Sequence, residues 1–223
     1  MQEIIKKAVE RGQKALSEYD SKRVIEKAGV PITKEELASS KDEAVEQSKK
    51  IGYPVVLKGC SDTLMHKTES GMVKLGLNND VDVANAYEEI MGKGIKLDGV
   101  LVQEMIQGQR EFVIGLTRDP QFGPCVMFGL GGIFTEVLKD VSFRIAPITE
   151  FDASEMIEEI KTKKLLDEFR GSPAVDRSVL IKALIGIGNL GVEYDDIAEI
   201  DINPLIIAGD KPVAVDSLVV LKN

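Results

Sequence analysis

Residues 197–221 read IAEIDINPLIIAGDKPVAVDSLVVL, two apolar runs separated by a turn. In the first run Glu199, Asp201 and Asn203 alternate with Ile200 and Ile202. Such alternation sends the polar side chains to one face of a strand and the isoleucines to the other, into a core. Gly209 and Asp210, flanked by Ala208 and Lys211, suit a two-residue hairpin loop with glycine first. A hairpin closed there sets Asn203 directly across from Asp216, with Cβ atoms roughly 5 Å apart. Asp216 interrupts the apolar run VAVDSLVV, an unusual place for an acid. Oxygen donors from Asn and Asp, completed by water and phosphate, suit Mg²⁺. The same pattern also describes a polar sheet face open to water.

Working back from the hairpin, strands and helices alternate irregularly. Ile4, Ile5, Ala8, Val9, Ala15 and Leu16 fall at helical spacing, and a short helix is expected behind Ser21, stopping at Gly29. Ser40 and Glu43 form a capping-box pattern for a helix ending near Gly52. YPVVLKG (53–59) reads as a buried strand and MVKLGL (72–77) as another, followed by a helix over about 81–92. GVLVQEMI, REFVIGLTRD and PCVMFGL read as strands, Val141 to Ile148 as extended, and about 152–170 and 177–189 as helices. Adjacent strand pairs of this kind predict an α+β chain with mixed sheets, not a regular βαβ array. The expected boundary lies near residue 100.

The chain has 223 residues, enough for one large domain or two small ones. Its 28 basic and 37 acidic residues give a formal charge of −9, which argues against a general nucleic-acid binder while leaving room for local phosphate sites. No apolar stretch approaches the length of a membrane span, and MQEIIKKAVERGQK lacks the apolar core of a secretory signal. Cys60 and Cys125 form no CxxC pair, so reduced cytoplasmic thiols are expected. His66 is the one histidine, which excludes sites built from two or more.

Three further constellations bear on chemistry. Lys58 ends the apolar run PVVLK, where it can hold a phosphate as a point charge or simply reach solvent. The loop GCSDTLMHKTESG (59–71) carries His66, which reads as a nucleophile, a general base or an ordinary surface residue. In GLGGIFTEVLKDVSFRIAP (129–147), Gly129, Gly131 and Gly132 permit close backbone approach and positive φ, so that amides face an anion, and Arg144 can contact phosphate. A tight bend with an exposed arginine fits that segment too.

Together these pieces resemble the β subunit of ADP-forming acetyl-CoA synthetases (acetate–CoA ligases), an ATP-grasp family related to the β subunit of succinyl-CoA synthetase. The resemblance runs through EYDSKRVIEKAGVP, GYPVVLK, HKTESGMVKLGL, VLVQEMIQGQREFVIG, FGLGGIFTEVLKDVSFRIAP and EIDINPL…AVDSLV. It implies two α/β lobes with the nucleotide between them: residues 21–100 as the N-terminal lobe carrying the His66 loop, and residues 1–20 with 101–223 as the C-terminal lobe with hinge and metal site.

The reaction implied converts acyl-CoA, ADP and phosphate reversibly to the free acid, CoA and ATP. His66 matches the histidine that relays the phosphoryl group from a partner's phosphohistidine to ADP, with Arg144 as fixed positive charge. Lys58 matches the lysine on the adenine and α-phosphate side. Gln103, Glu104 and Met105 match the hinge whose backbone pairs with the adenine edge, and Glu111 the acid that binds the ribose hydroxyls. Some relatives have Glu where this chain has Gln103, which bears on nucleotide preference if the side chain makes the contact. Asn203, Asp216 and Asp201 match the Mg²⁺ site, while Gly129 to Gly132 and Glu136 help accept the docked loop. No CoA-binding region remains, so the resemblance implies a CoA-binding α subunit in an α2β2 heterotetramer, a cytoplasmic setting, and no nucleic-acid or membrane partner. Two other readings use the same nucleotide residues: a stand-alone ATP-grasp carboxylate–amine ligase, and a non-catalytic nucleotide-binding regulatory module.

Overall fold

The computed structural model of the chain describes residues 1–62, 71–132, 138–168 and 171–222. These fall into a smaller unit, Leu16–Tyr19 with Thr33–Ile106, and a larger one, Met1–Ala15 and Asp20–Ile32 with Gln107–Asn223. The sequence places the division at residue 100 and assigns 21–100 to one lobe. In the structure residues 20–32 group with the larger unit and 101–106 with the smaller. Strand β4 (Gly99–Glu104) pairs along its length with β1 (Glu35–Ala38) and β2 (Val55–Cys60), so a cut at residue 100 would split it. Ser21 accepts a hydrogen bond from the Val219 amide at 3.1 Å, which ties its helix to the C-terminal strands. That helix, α2 (Glu18–Lys27), begins three residues before the expected cap, so Ser21 serves a tertiary contact instead. The first helix, α1 (Gln2–Glu10), stops before Gly12, whose φ of +66° ends it short of Ala15.

In the smaller unit the sheet order is β1-β4-β2-β3, with β3 spanning Val73–Leu77, and every pairing is antiparallel. Helices α3 (Lys41–Ile51) and α4 (Asp80–Met91) cover one face. Ala38, Val55, Leu57, Val100 and Val102 pack there with Ala44, Val83 and Ile90. Ser40 caps α3 by accepting from the Glu43 amide, and the Glu43 carboxylate returns to Ser39, one residue before the partner of an ordinary capping box.

In the larger unit the order is β10-β8-β5-β6-β7, with β9 also on β8. The strands are β5 (Glu111–Asp119), β6 (Gly123–Leu130), β7 (Val141–Ile145), β8 (Ile197–Ala208), β9 (Lys211–Ala214) and β10 (Leu218–Leu221). All named pairings here are antiparallel too, and the parallel contact is an isolated bridge, Ile32 to Ala214. The expected mixed sheets are therefore antiparallel ones, even where the neighbours, such as β1 and β4 or β5 and β8, are far apart in the sequence and are linked through helices. Helices α5 (Glu150–Glu159) and α6 (Arg177–Glu193) pack on the face bearing Leu116, Val126 and Phe128. Phe112 and Phe128 stack in that core with ring centroids 5.6 Å apart.

The helix expected to reach residue 170 ends at Glu159 because buried Asp140 takes over. Its carboxylate accepts from the Lys161 and Thr162 amides at 2.7 and 2.8 Å and so starts a 3-10 turn over Lys161–Leu166. Those bonds, with the Thr162 hydroxyl, outweigh burial and hold the Asp140 carboxyl below its ordinary pKa. No helix among the described residues is long and apolar enough to cross a membrane.

Helix α6 approaches the end of α2 where Gly186 lies against the Ala28 carbonyl oxygen. Alanine at a helix interior gains about 1 kcal/mol over glycine, but overpacking costs about 1–3 kcal/mol, and a backbone oxygen cannot step aside. Gly186→Ala is expected to destabilise the chain by about 1–2 kcal/mol, read as a lower urea midpoint.

Candidate functional site

The site on the larger unit is built on β8. Leu205 to Ala208 pair with β9, and Asp201 back to Ile197 with β10. The Val215 amide donates to the Pro204 carbonyl at 3.1 Å across the gap. The Leu205–Ala214 and Asp201–Leu218 pairs share one register, which sets Asn203 across from Asp216 as the hairpin pattern predicts. On the other edge, β5 steps from Phe112 opposite Leu205 to Ile114 opposite Ile202. Asn203 and Pro204 thus face Val113 together in a bulge, which places a proline where the ladder is already interrupted. Ile200 and Ile202 are buried before the bulge and Leu205 and Ile207 after it, so the apolar face is kept across the extra residue.

Glu199, Asp201 and Asp216 crowd their charges here. Burial first, then Glu199 and Asp216, push the Asp201 carboxyl up to about 6. The Asp216 Oδ1 accepts from the Ser217 amide at 2.8 Å. Among the described residues no three carboxylate, thiol or imidazole groups converge on one metal position. The side chains that could hold a cation here are the Asn203 amide and the Asp216 carboxylate, with Asp201 on the same strand as Asn203. This hard-oxygen set fits Mg²⁺, which keeps several waters and takes one or two protein ligands.

The glycine-rich segment meets Asn203 on one side and Glu111 on the other. The Gly132 amide donates to Asn203 Oδ1 at 3.2 Å, and the Gly131 amide to the Glu111 carbonyl at 2.9 Å. A Cβ on Gly131 would strike the Phe112 backbone, and one on Gly132 the Glu111 carboxylate. Gly132 has a φ of +68°; Gly129 needs its missing Cβ for a different contact, against the Asp140 carbonyl and Val141. A cavity of about 590 Å³ opens beside Glu111 and Gly131, walled by Leu130, Leu138 and Leu165.

Arg144 stands apart from this group. It pairs with Val126 on β6, and through Leu116 and Ile200 that row belongs to the helix-covered face. Glu199 and Asp201 pair with Thr117 and Gly115, on the opposite face. The Arg144 guanidinium is bonded to both Glu159 oxygens, at 2.9 and 2.5 Å, and to the Phe143 carbonyl. Glu159 raises the Arg144 pKa further, and Arg144 holds the Glu159 carboxyl below its usual range. The structure thus gives this arginine a carboxylate partner, Glu159, on the helix-covered side.

On the smaller unit, β2 is buried at all six positions, which accounts for the unbroken run VVLKGC. Lys58 does not reach solvent: its ammonium donates to Glu18 at 2.7 Å, with the two side chains 6% and 1% exposed. Val56 pairs with Gln103 and Lys58 with Leu101, so Lys58 and Gln103 share the sheet face opposite the α3–α4 core, with Glu35 beside Gln103. The Thr33 hydroxyl donates to Glu35 at 2.9 Å. Glu18 and Glu35 were not singled out by sequence; a buried lysine requires a counter-charge, but its position along the chain leaves no local pattern.

The backbone of the segment expected as the hinge, Gln103 to Met105, is partly committed. The Glu104 amide donates to the Lys34 carbonyl and the Met105 amide to the Pro54 carbonyl. The Glu104 carboxylate accepts from the Lys34 amide at 2.7 Å. A base edge read here uses carbonyl oxygens or amides beyond Met105. His66 and Glu136 lie outside the described residues.

The sequence matches the family model described as ATP-grasp domain over residues 7–221. It is 43% identical over 225 residues to the acetate–CoA ligase [ADP-forming] I subunit beta of Pyrococcus furiosus, covering 98% of this chain and 97% of that one. Among solved structures, it is similar to dinucleotide-forming acetyl-coenzyme A synthetase 1 of Ca. Korarchaeum cryptofilum in complex with coenzyme A and Ca-AMPCP. That match has a TM-score of 0.94, 45% identity and 99% coverage of both chains. A second structure of that protein, with coenzyme A and Mg-AMPPCP and its phosphohistidine segment pointing towards the nucleotide binding site, matches with a TM-score of 0.89 and 45% identity over 99% of each chain.

Two outcomes follow from the geometry. The folded Asp201 pKa of about 6 lies above the ordinary aspartate value near 4, so between these values the folded protein holds a proton that the unfolded chain has lost. Stability contributed by that proton falls as pH rises through the window. In EDTA, Asp201→Asn is expected to raise unfolding free energy by about 2 kcal/mol at pH 8 and to leave it nearly unchanged at pH 4. Arg144→Met is expected to keep Mg-ADP affinity within about twofold of wild type by calorimetry, since 1.4 kcal/mol would be needed for tenfold and its partner is Glu159.

Proposed function

Because the chain belongs to the β subunits of the ADP-forming acetate–CoA ligases, within the ATP-grasp family, we propose that it is the nucleotide-handling half of a two-subunit acyl-CoA synthetase. The observation that carries this reading is Asn203 opposite Asp216 on β8, with the Gly132 amide on Asn203 and the Glu111 carboxylate over Gly132. A polar sheet face open to water would not require two successive glycines, one packed on the Phe112 backbone and one under the Glu111 carboxylate.

In this reading the net reaction is acyl-CoA, ADP and phosphate giving free acid, CoA and ATP. The phosphoryl group reaches His66 from a phosphohistidine of the partner. Its N–P bond then breaks as an oxygen of the ADP β-phosphate forms the new O–P bond. A neutral imidazole serves the reverse direction, being a competent nucleophile near pH 7. Phosphoryl transfer of this kind depends on alignment and charge neutralisation more than on acid–base steps.

Asn203 and Asp216 would hold Mg²⁺, with Asp201 in an outer position; when bound, the ion neutralises diphosphate charge. Glu111 accepts from the ribose hydroxyls. Lys58 supplies positive charge on the nucleotide, and the Gln103–Met105 hinge meets the base edge. The family's arrangement supports a CoA-binding partner, two copies of each subunit, and a cytoplasmic setting in which the thiols of Cys60 and Cys125 stay reduced.

Incubation of the chain with radiolabelled ATP and Mg²⁺ is expected to give an acid-labile, base-stable label that His66→Ala abolishes. A stand-alone carboxylate–amine ligase would keep most of its activity in that variant, and a regulatory module would take no label in the first place. Purified alone, the chain is expected to show no acyl-CoA-dependent ATP synthesis until the partner is added, and robust turnover by itself would overturn the two-subunit reading.

A further inference from the structure

Lys58 and Glu18 form a buried ion pair that no feature of the sequence announces. Both belong to the smaller unit. Glu18 is the first residue of α2, where the helix dipole favours a carboxylate. It is flanked by Leu16, 3% exposed, and Ser17, 8% exposed, so its backbone is packed in place. Lys58 carries its ammonium on a flexible four-carbon stem and has no preferred direction of its own. At 2.7 Å, the Glu18 carboxylate sets where that ammonium stands.

We propose that Glu18 is a positioning residue that fixes the Lys58 ammonium for the phosphate of a nucleoside diphosphate. The inference rests on the reading of Lys58 as a nucleotide contact. A buried pair that served the fold alone would be replaceable by apolar groups of similar volume. Lys58 instead sits on the same sheet face as Gln103 of the hinge, where an ammonium carries a second duty. Its three N–H donors allow it to hold a carboxylate and an anionic ligand at once. Glu18 thus offsets the buried charge before the nucleotide binds and keeps the donor aimed when it does.

The test is calorimetric titration of the full chain with Mg-ADP, with melting temperatures alongside. Glu18→Asp keeps the charge pair but shortens the carboxylate arm by about 1.5 Å. It is expected to melt near wild type and to bind Mg-ADP about five- to tenfold more weakly. Lys58→Met is expected to weaken binding by tenfold or more, as loss of a charged hydrogen bond does. The double variant Glu18→Gln with Lys58→Met, which leaves no unpaired charge, is expected to bind like Lys58→Met alone.

Binding by Glu18→Asp within twofold of wild type, with Lys58→Met weakened, would reduce Glu18 to a structural partner. A further loss in the double variant would show that Glu18 acts apart from Lys58, again against the proposal. Wild-type binding by Lys58→Met would remove the nucleotide role of Lys58 itself and the inference with it, a pattern distinct from the other two.

Discussion

The larger unit depends on β8 keeping one apolar face in the core while its register runs straight past Asn203 on the β9–β10 edge and steps at a bulge on the β5 edge. A strand in the interior of a sheet can present carboxylates on one face only if its other face is held in a core, because a slip by one residue exchanges the two. Ile200, Ile202, Leu205 and Ile207 provide that hold on β8, all buried. The bulge at Asn203 and Pro204 adds a residue without losing the apolar side. It also sets Asn203 where its oxygen takes the Gly132 amide while its neighbour across the sheet is Asp216. The glycines follow from the same constraint, since the chain must pass close over Phe112 and under Glu111 to deliver that amide.

This much was legible in the sequence because it is local. Alternation along Glu199 to Asn203, the Gly209 turn and the acid in an apolar run fix a face, a register and a pair of donors within one hairpin. The capping residue Ser40 and the buried run of β2 were legible for the same reason. Errors arise where a distant group decides. The expected long helix stops at residue 159 because Asp140, from another part of the chain, supplies acceptors for two amides. Ser21 has the composition of a cap but bonds Val219. Arg144 looked available for phosphate, yet strand parity puts it on the helix side, within reach of Glu159.

The smaller unit makes the same point with charge. Its β2 is buried on both faces, so the lysine within it cannot follow the usual course of stretching its stem along a surface to water. A carboxylate has to come to it. Glu18 lies 40 positions away in the sequence, and no spacing rule connects the two. Glu35, next to Gln103 in the ladder and bonded to Thr33, adds a second acid to that face. Composition records these residues only as charges within a total of −9.

That total poses the last physical question, how so acidic a chain accommodates a polyphosphate. Bulk charge opposes the ligand, but screening over about 10 Å at ordinary ionic strength leaves the decision to neighbours. On β8 those neighbours are unfavourable alone: Asp201 is driven toward its protonated form by burial, Glu199 and Asp216. A second set of negative charges cannot be added to such a row without a cation between them. Glu199 is exposed and Asp201 and Asp216 are half-buried, so it is their mutual repulsion that a divalent ion held as proposed above would relieve. In the proposed site the acid row and the phosphate would become compatible through one hard-oxygen coordination, with Asn203 contributing a donor that adds no charge of its own.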